Sequence, residues 1–316
     1  MSEKILVTGG AGFIGSHLVE YLLKRGDDVA VLDDLSTGKE SNLSSVMDQI
    51  DYNVGDIRNS ETLDKCLDGV ETIYHLAAIV GVNLVLRLSD RETLDVDLNG
   101  TKMVLEACKD SDVRNIFFAS SSEVYGHYPP DKLPMSEADE FTPDTKYGEA
   151  KLSAEEMCKD FFEEYGIKTT SARYFNVYGP RQTLNGYAVP HMVWAAINNK
   201  PIEIHGDGKQ IRDFTYIDDT VAATVGICDG GFGGEVFNIG TGRSINMNDL
   251  ADLIISLSKS KSEKVYVQKR RPTDLHDKYS NPDKIKKSTG WVPKVGLEEG
   301  LARTIDYTKN ALYTHT

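Results

Sequence analysis

Cysteine is scarce and scattered in this 316-residue chain: Cys66, Cys108, Cys158 and Cys228 form no Cys-x-x-Cys pair and have no histidine at ligand spacing. That removes the basis for a zinc site or a redox motif, and no metal is expected. Read as small apolar side chains in a reducing compartment, the four belong in the core. Long hydrophobic runs are missing too. None approaches the roughly 20 residues a membrane span needs, and residues 1–10 lack the charged, apolar, small-residue layout of a signal peptide. A soluble, cytoplasmic protein with no membrane partner is expected. Positive charge is in deficit: 35 Lys and Arg face 49 Asp and Glu, a net charge of −14. No nucleic-acid partner is therefore expected, because counterion release needs clustered cations that outnumber the local carboxylates. What is present is an ordinary globular balance, 40% hydrophobic and 27% charged, which excludes a disordered or fibrous chain. A chain of this length buries about three quarters of its unfolded surface without staples.

The first 175 residues or so alternate short apolar runs with longer helical patterns. Ile5-Leu6-Val7, Val29 to Leu32, Tyr52 to Val54, Thr72 to Tyr74, Asn115 to Ala119 and Thr169 to Tyr174 read as strands. The amphipathic stretch from Phe13 to Arg25 reads as a helix, with Gly26 where a C-cap glycine belongs. Strand and helix repeated this often predict an α/β, Rossmann-type doubly wound parallel sheet. After Gly179-Pro180 the segments shorten and loops such as Gly206-Asp207-Gly208-Lys209 appear, with helical patterns returning at Asn248–Ser258 and Leu297–Asn310. We expect a dinucleotide-binding domain over 1–178, with return segments near 213–240, and a smaller mixed α/β substrate-binding lobe over 179–316. A stripe of Met157, Cys158, Phe161, Phe162 and Tyr165 lies on the helical stretch 147–165. It serves equally as packing on its own sheet or as a helix–helix seam between two copies.

Thr8-Gly9-Gly10-Ala11-Gly12-Phe13-Ile14-Gly15 follows the first strand and opens the first helix. Missing Cβ atoms suit a tight turn, close backbone approach to a pyrophosphate, and a helix N-terminus that presents free N–H groups. Asp33 ends the second strand, 18 residues past Gly15, with Asp34 beside it and no arginine nearby. An acidic group there accepts from a ribose 2′-hydroxyl and repels a 2′-phosphate, favouring NAD over NADP.

Tyr147-Gly148-Glu149-Ala150-Lys151 puts a phenol and an ammonium at i and i+4, neighbours on one helix face. The spacing alone is unspecific, for Tyr128 to Lys132 repeats it; there Pro129-Pro130 breaks the helix. Lowering a phenol pKa by roughly 3 units takes about 4 kcal/mol. One cation about 4 Å away at an effective dielectric near 20 supplies a comparable amount. Lys151, with a cationic nicotinamide ring, is thus expected to make Tyr147 a general base. Ser120, Ser121 and Ser122 follow the fifth strand at the carboxyl edge, where such sheets place ligands.

Taken together these motifs resemble those of the extended short-chain dehydrogenases/reductases, and among them the nucleotide-sugar 4-epimerases of the UDP-glucose or UDP-N-acetylglucosamine type. The resemblance covers almost the whole chain, adding Leu32 to Gly38 (LDDLSTG), Gly55 to Arg58 (GDIR), His75 to Ala78 (HLAA), Ser120 to Gly126 (SSSEVYG), Arg173 to Gln182 (RYFNVYGPRQ) and Arg212-Asp213-Phe214. It implies that Ser121, Tyr147 and Lys151 are catalytic. NAD would be held by Gly9, Gly12, Phe13, Ile14, Gly15, Asp33, Asp34, Ser36, Thr37, Gly38, Asp56, Ile57, Leu76, Ala77 and Ala78, with Tyr147, Lys151 and Tyr174 near the nicotinamide. A UDP-sugar would meet Val82, Ser121, Ser122, Glu123, Tyr147, Asn176, Val189, Arg212, Arg271 and Asp274; guanidinium forks suit its phosphates. It also implies a homodimer through a helix bundle that includes 147–165. Three positions depart from the family. Asp34 and Asp97 stand where asparagine is common, the latter against the cofactor, and Lys278 holds a gate position whose size in relatives decides whether an N-acetyl group fits.

The implied reaction is reversible inversion at C4 of a UDP-hexose, by transient oxidation to a 4-keto sugar and hydride return. The alternatives are a UDP-glucuronate decarboxylase or a sugar dehydratase on the same platform, kept open by Glu123, or a non-catalytic dinucleotide sensor. The dehydratase pattern wants Asp where Ser122 stands, the run from Asn176 to Gln182 looks more like 4-epimerases, and a sensor usually lacks one of Ser121, Tyr147 and Lys151.

Overall fold

The computed structural model describes residues 3–79, 94–184, 186–268 and 277–313. Strand β1 (Lys4–Thr8) runs into the glycine loop and helix α1 (Phe13–Arg25) leaves it. Gly26 ends that helix at φ 96°, its N–H on the Leu22 and Leu23 carbonyls, so the C-cap falls where the glycine predicts. The alternation continues through β2 (Asp28–Asp33), β3 (Asp51–Val54), α2 (Ser60–Cys66), β4 (Thr72–His75), α3 (Thr101–Cys108), β5 (Asn115–Ser121), α4 (Lys146–Tyr165) and β6 (Lys168–Tyr174). A wide π turn, Asp95–Gly100, leads into α3.

All seven strands of the central sheet are parallel, in the order β11-β6-β5-β4-β1-β2-β3. The seventh, β11 (Glu235–Ile239), comes from far along the chain and pairs Glu235 with Thr170 through Ile239 with Tyr174. This is the α/β Rossmann-type fold that the alternating pattern predicts. The order reverses between β1 and β4, where carboxyl-end loops diverge and leave a crevice. Period-two alternation sorts the strand side chains into two cores. Ile5, Val7, Val29, Val31, Tyr74 and Phe117 pack with Leu18, Val19 and Leu22 of α1, and with Ile217, Val221 and Val225 of α6 (Ile217–Asp229). Leu6, Ala30, Leu32, Ile73, Ile116 and Phe118 pack on the other face, under α2, α3 and α4. Burying each large side chain contributes about 1.5–3 kcal/mol. All four cysteines are buried and free.

Beyond β6 the strands outside the central sheet are short and come in pairs. β7 (Val177–Tyr178) pairs with β10 (Thr215–Tyr216), β8 (Ile202–His205) with β13 (Lys264–Val267), and β9 (Ile211–Asp213) with β12 (Ser244–Asn246). Helices α5 (Ala188–Ile197), α7 (Met247–Ser258), α8 (Asp283–Thr289) and α9 (Leu297–Tyr313) complete the described chain. Asp213 ties this region together through neutral donors. Its buried carboxylate accepts from the N–H and hydroxyl of Thr241, the N–H and hydroxyl of Ser280, and the N–H of Gly242.

The stripe on α4 divides. Cys158 and Phe161 are buried in the chain's own core and Phe162 lies against the Gly233-Gly234 loop, while Tyr165 is exposed. Among the described residues no helix is long and apolar enough to cross a membrane. No group of three or more His, Cys, Asp or Glu among them could hold a metal ion.

Candidate active site

One cleft of about 990 Å³ follows the carboxyl ends of the strands and brings together Gly9, Gly12, Phe13, Ile14, Gly15, Asp33, Asp34, Ser36, Thr37, Asp56, Ile57, Leu76, Ala77 and Ala78. The glycines differ in what they make possible. A Cβ on Gly15 would lie 2.2 Å from the Gly9 carbonyl oxygen, so that glycine lets α1 pack on the loop. A Cβ on Gly12 would meet only the same oxygen at 3.1 Å and would otherwise fill the cleft. Gly12 is also the N-cap of α1 and brings no side-chain cap, so the first N–H groups of the helix are free to take an anion. These residues fit a dinucleotide.

Asp33 is buried at the end of β2; Oδ2 accepts from the Ala11 N–H at 2.9 Å and Oδ1 from the Leu35 N–H at 2.8 Å. Burial raises its pKa, and those two N–H groups pull the other way. Each oxygen keeps a further lone pair for a ribose hydroxyl. Gly38 is not part of the cleft wall; a Cβ there would strike the Asp33 carboxylate at 2.8 Å, so it supports that side chain from behind. Asp56 is engaged by the Arg58 guanidinium, which holds its carboxyl below the usual range.

The catalytic candidates meet at the other end of the crevice. Ser121 is the last residue of β5 and Ser122 and Glu123 begin the turn after it, while Tyr147 and Lys151 lie on the first turns of α4. Thr145 caps α4 by accepting the Gly148 N–H at 3.0 Å, which fixes where the helix starts and so where Tyr147 stands. Ser121 lies near enough to the Tyr147 phenol to pull its pKa down. Lys151 does not stand alone beside the phenol. Lys151 Nζ lies 5.7 Å from the Tyr147 ring centroid and 3.8 Å from Asp97 Oδ1, inside an ion pair. Burial, and then the Asp97 charge, push the Tyr147 phenol well above its ordinary pKa, the opposite direction from that expected of a lone lysine. Burial pushes Lys151 down against the pull of Asp97.

Tyr174 lines the cleft and its hydroxyl meets Thr224 at 2.8 Å. Asn176, Val189 and Arg212 line its outer part; Asn176 donates to the Asp213 carbonyl at 3.0 Å. Val82, Arg271 and Asp274 lie outside the described residues. Lys278, expected as a gate, is buried and pinned: Nζ lies 3.0 Å from Glu123 Oε1, and its N–H donates to the Ile211 carbonyl. Sequence reasoning passed over Tyr187, His191, Trp194 and Gln210, which also line the cleft. Nothing local marks them, since they come from a loop, one helix and a turn that share no motif.

Residues 5–240 match the NAD dependent epimerase/dehydratase family. The chain belongs to that family. It is an enzyme family that takes NAD as its cofactor, here within the extended short-chain dehydrogenase/reductase group that the motifs resemble. The UDP-glucose 4-epimerase of Thermotoga maritima, solved with UDP-glucose, superimposes with a TM-score of 0.92 at 36% identity, over 98% of this chain and 99% of that one. The UDP-N-acetylglucosamine 4-epimerase of Methanobrevibacter ruminantium, solved with UDP-N-acetylmuramic acid, gives 0.91 at 30% identity, covering 98% and 100%. The UDP-N-acetyl-α-D-glucosaminuronate decarboxylase of Bacillus cytotoxicus is 33% identical over 320 residues, 97% of this chain and 98% of that one.

Proposed function

We propose that the protein is an NAD-dependent 4-epimerase of a UDP-hexose, acting on UDP-glucose/UDP-galactose or their N-acetylated counterparts. The observation that carries this is the meeting of Ser121, Tyr147 and Lys151 at the end of a cleft whose other end is the glycine loop. The chemistry that NAD supplies when bound is to take up the C4 hydride and give it back. Tyr147 accepts the C4 hydroxyl proton and later returns it, while Ser121 holds the same oxygen. Lys151 keeps positive charge near the phenol. Arg212 and Asn176 face the diphosphate and its ribose, and the outer wall gives the 4-keto sugar room to present its second face. Val82, Arg271 and Asp274 complete the substrate contacts by resemblance. The division into a cofactor domain over 1–178 and a sugar-nucleotide lobe over 179–316 belongs to the same reading. So does a homodimer through a bundle that includes α4, supported by the resemblance and not by the inward-facing Cys158 and Phe161; sedimentation in solution tests it.

A second reading has an observation of its own. Glu123 directly follows the serine run, and a decarboxylase is among the relatives that match over nearly full length. Product analysis by NMR after incubation with UDP-glucose, UDP-N-acetylglucosamine and UDP-glucuronate separates the two. A 4-epimer with no net change in nicotinamide is expected. A UDP-pentose with loss of carbon dioxide, a 4-keto-6-deoxy sugar, or no product from any of the three overturns the proposal.

A further inference from the structure

Lys151 has one charged partner that no motif supplied. Asp97 lies in the π turn before α3, and both members of the pair are sealed, with side chains 3% and 0% exposed. The family resemblance puts an amide at this position; this chain has a carboxylate. Oδ1 accepts from the Ile79 N–H at 3.1 Å and faces Lys151 Nζ at 3.8 Å. Oδ2 has no hydrogen-bond partner among the described residues.

Behind Asp97 runs a chain of neutral hydrogen bonds whose polarity is set by its ends. The Ala77 N–H can only donate and does so to Thr8 Oγ1; the Asp97 carbonyl can only accept and does so from Thr101 Oγ1. Between them Thr8 meets His75 Nδ1 at 2.7 Å, and His75 Nε2 meets Thr101 Oγ1 at 3.1 Å. The hydroxyl of Thr101 is spent on the carbonyl, so Nε2 carries the imidazole proton and Nδ1 accepts from Thr8. Burial, with Lys151 nearby, drives that imidazole down to about 3, and it stays neutral. The chain can hold Asp97 in place but cannot bring it charge. The other ionisable groups acting on this corner are Glu155 and Cys158 on Lys151, and Glu123 and Tyr187 on Tyr147. Glu155 is already taken by Arg173 at 2.6 Å and Glu123 by Lys278. Among the described residues Lys151 is therefore the cation that answers Asp97.

We propose that Asp97 is a positioning residue of this site, acting through Lys151: its carboxylate offsets the lysine's charge, so Tyr147 gives up its proton at a higher pH than a lone lysine would set. This rests on Tyr147 being the proton acceptor of the proposed reaction. The experiment compares wild type and Asp97→Asn by two readouts. The first is the pH profile of kcat/KM. The second needs no turnover: the near-ultraviolet tyrosinate absorbance of the holoenzyme, taken as a difference against the same protein carrying Tyr147→Phe. In Asp97→Asn the acid limb of the profile and the Tyr147 titration both move to lower pH, by about one unit, for the loss of a like charge buried in the same corner. Asp97→Glu, which keeps the charge, stays with the wild type. A purely structural role would change the height of the profile and leave its limbs in place. Coincident titrations of Tyr147 in wild type and a folded Asp97→Asn overturn the proposal; should that variant not fold, Asp97→Ser is held to the same shift. If Tyr147→Phe retains its rate, the proposed reaction falls, while the absorbance titration still decides whether Asp97 governs the phenol.

Discussion

Two buried ion pairs hang from α4 one turn apart, and they are built to different standards. Glu155 meets Arg173 with NH2–Oε2 at 2.6 Å and Nε–Oε1 at 3.0 Å, and accepts from Ser120 as well. The guanidinium also reaches the Tyr125 hydroxyl at 3.1 Å and stands 4.2 Å from the Phe141 ring centroid. Lys151, four residues earlier, meets Asp97 at 3.8 Å, and one oxygen of that carboxylate has no hydrogen bond among the described residues. Helix and burial are the same; satisfaction is not. The saturated pair clamps β5, β6 and α4 to one another, whereas the loose one lies beside the reacting phenol. A group that is to change its charge balance during a reaction cannot be held as tightly as one that only fastens the fold.

The sharpest way to break this contrast is to remove one member of the saturated pair. Arg173→Met strands the Glu155 carboxylate in the core and takes a donor from the Tyr125 hydroxyl, which keeps its own bond to Asn238. We expect a loss of about 3–5 kcal/mol, read by urea unfolding. The double variant Arg173→Met/Glu155→Met removes both charges and should recover a large part of that loss. Equal losses in single and double variants would mean that shape, not charge pairing, accounts for the clamp.

Lys151→Met should be milder and should depend on pH. Burial raises the Asp97 pKa and Lys151 draws it back; without the lysine the folded-state value climbs further above the unfolded one. The folded protein then binds the extra proton, so stability is greatest below the ordinary carboxylate range and falls as pH rises through the raised pKa. A loss of about 1–3 kcal/mol near pH 8, shrinking toward about pH 5, is expected from unfolding curves across that range. A loss independent of pH would show that removing the lysine leaves the titration of Asp97 where it was.

The legible and illegible parts of the molecule divide along this same contrast. Whatever rests on neighbours in sequence was readable: β1 with its glycine turn, α1 ending on Gly26, and Tyr147 with Lys151 one helical turn on. The partners of α4 were not. Asp97 reaches Lys151 across 54 residues of sequence, and Lys278 reaches Glu123 across 155. Glu155 and Glu156 look alike in the sequence, yet one is buried against an arginine and the other is exposed. Only the burial of Ala154, Cys158 and Phe161 on the same face tells them apart. The seventh strand, β11, is an ordinary short apolar run until its pairing with β6 is known. Long-range pairing of this kind is decided by topology, which local propensity does not carry.

A third charged pair on the same helix sets the lower bound of the comparison. Lys146 Nζ meets Glu149 Oε2 at 2.6 Å, as short as the Arg173 contact, but both side chains are about half exposed. Geometry alone would rank it with the clamp; solvent ranks it last, because water answers either charge once its partner is gone. Glu149 also lies in the first turn of α4, where a carboxylate meets the positive end of the helix dipole. Glu149→Ala should therefore lose both small contributions, together under about 1 kcal/mol. Near 1 M salt, where the Debye length is about 3 Å, most of that difference should vanish. Urea unfolding of this variant at low and high salt, beside Arg173→Met under the same conditions, makes the distinction quantitative. The surface loss should fade with salt and the clamp's should persist, since ions do not reach a pair buried between two sheet strands and a helix.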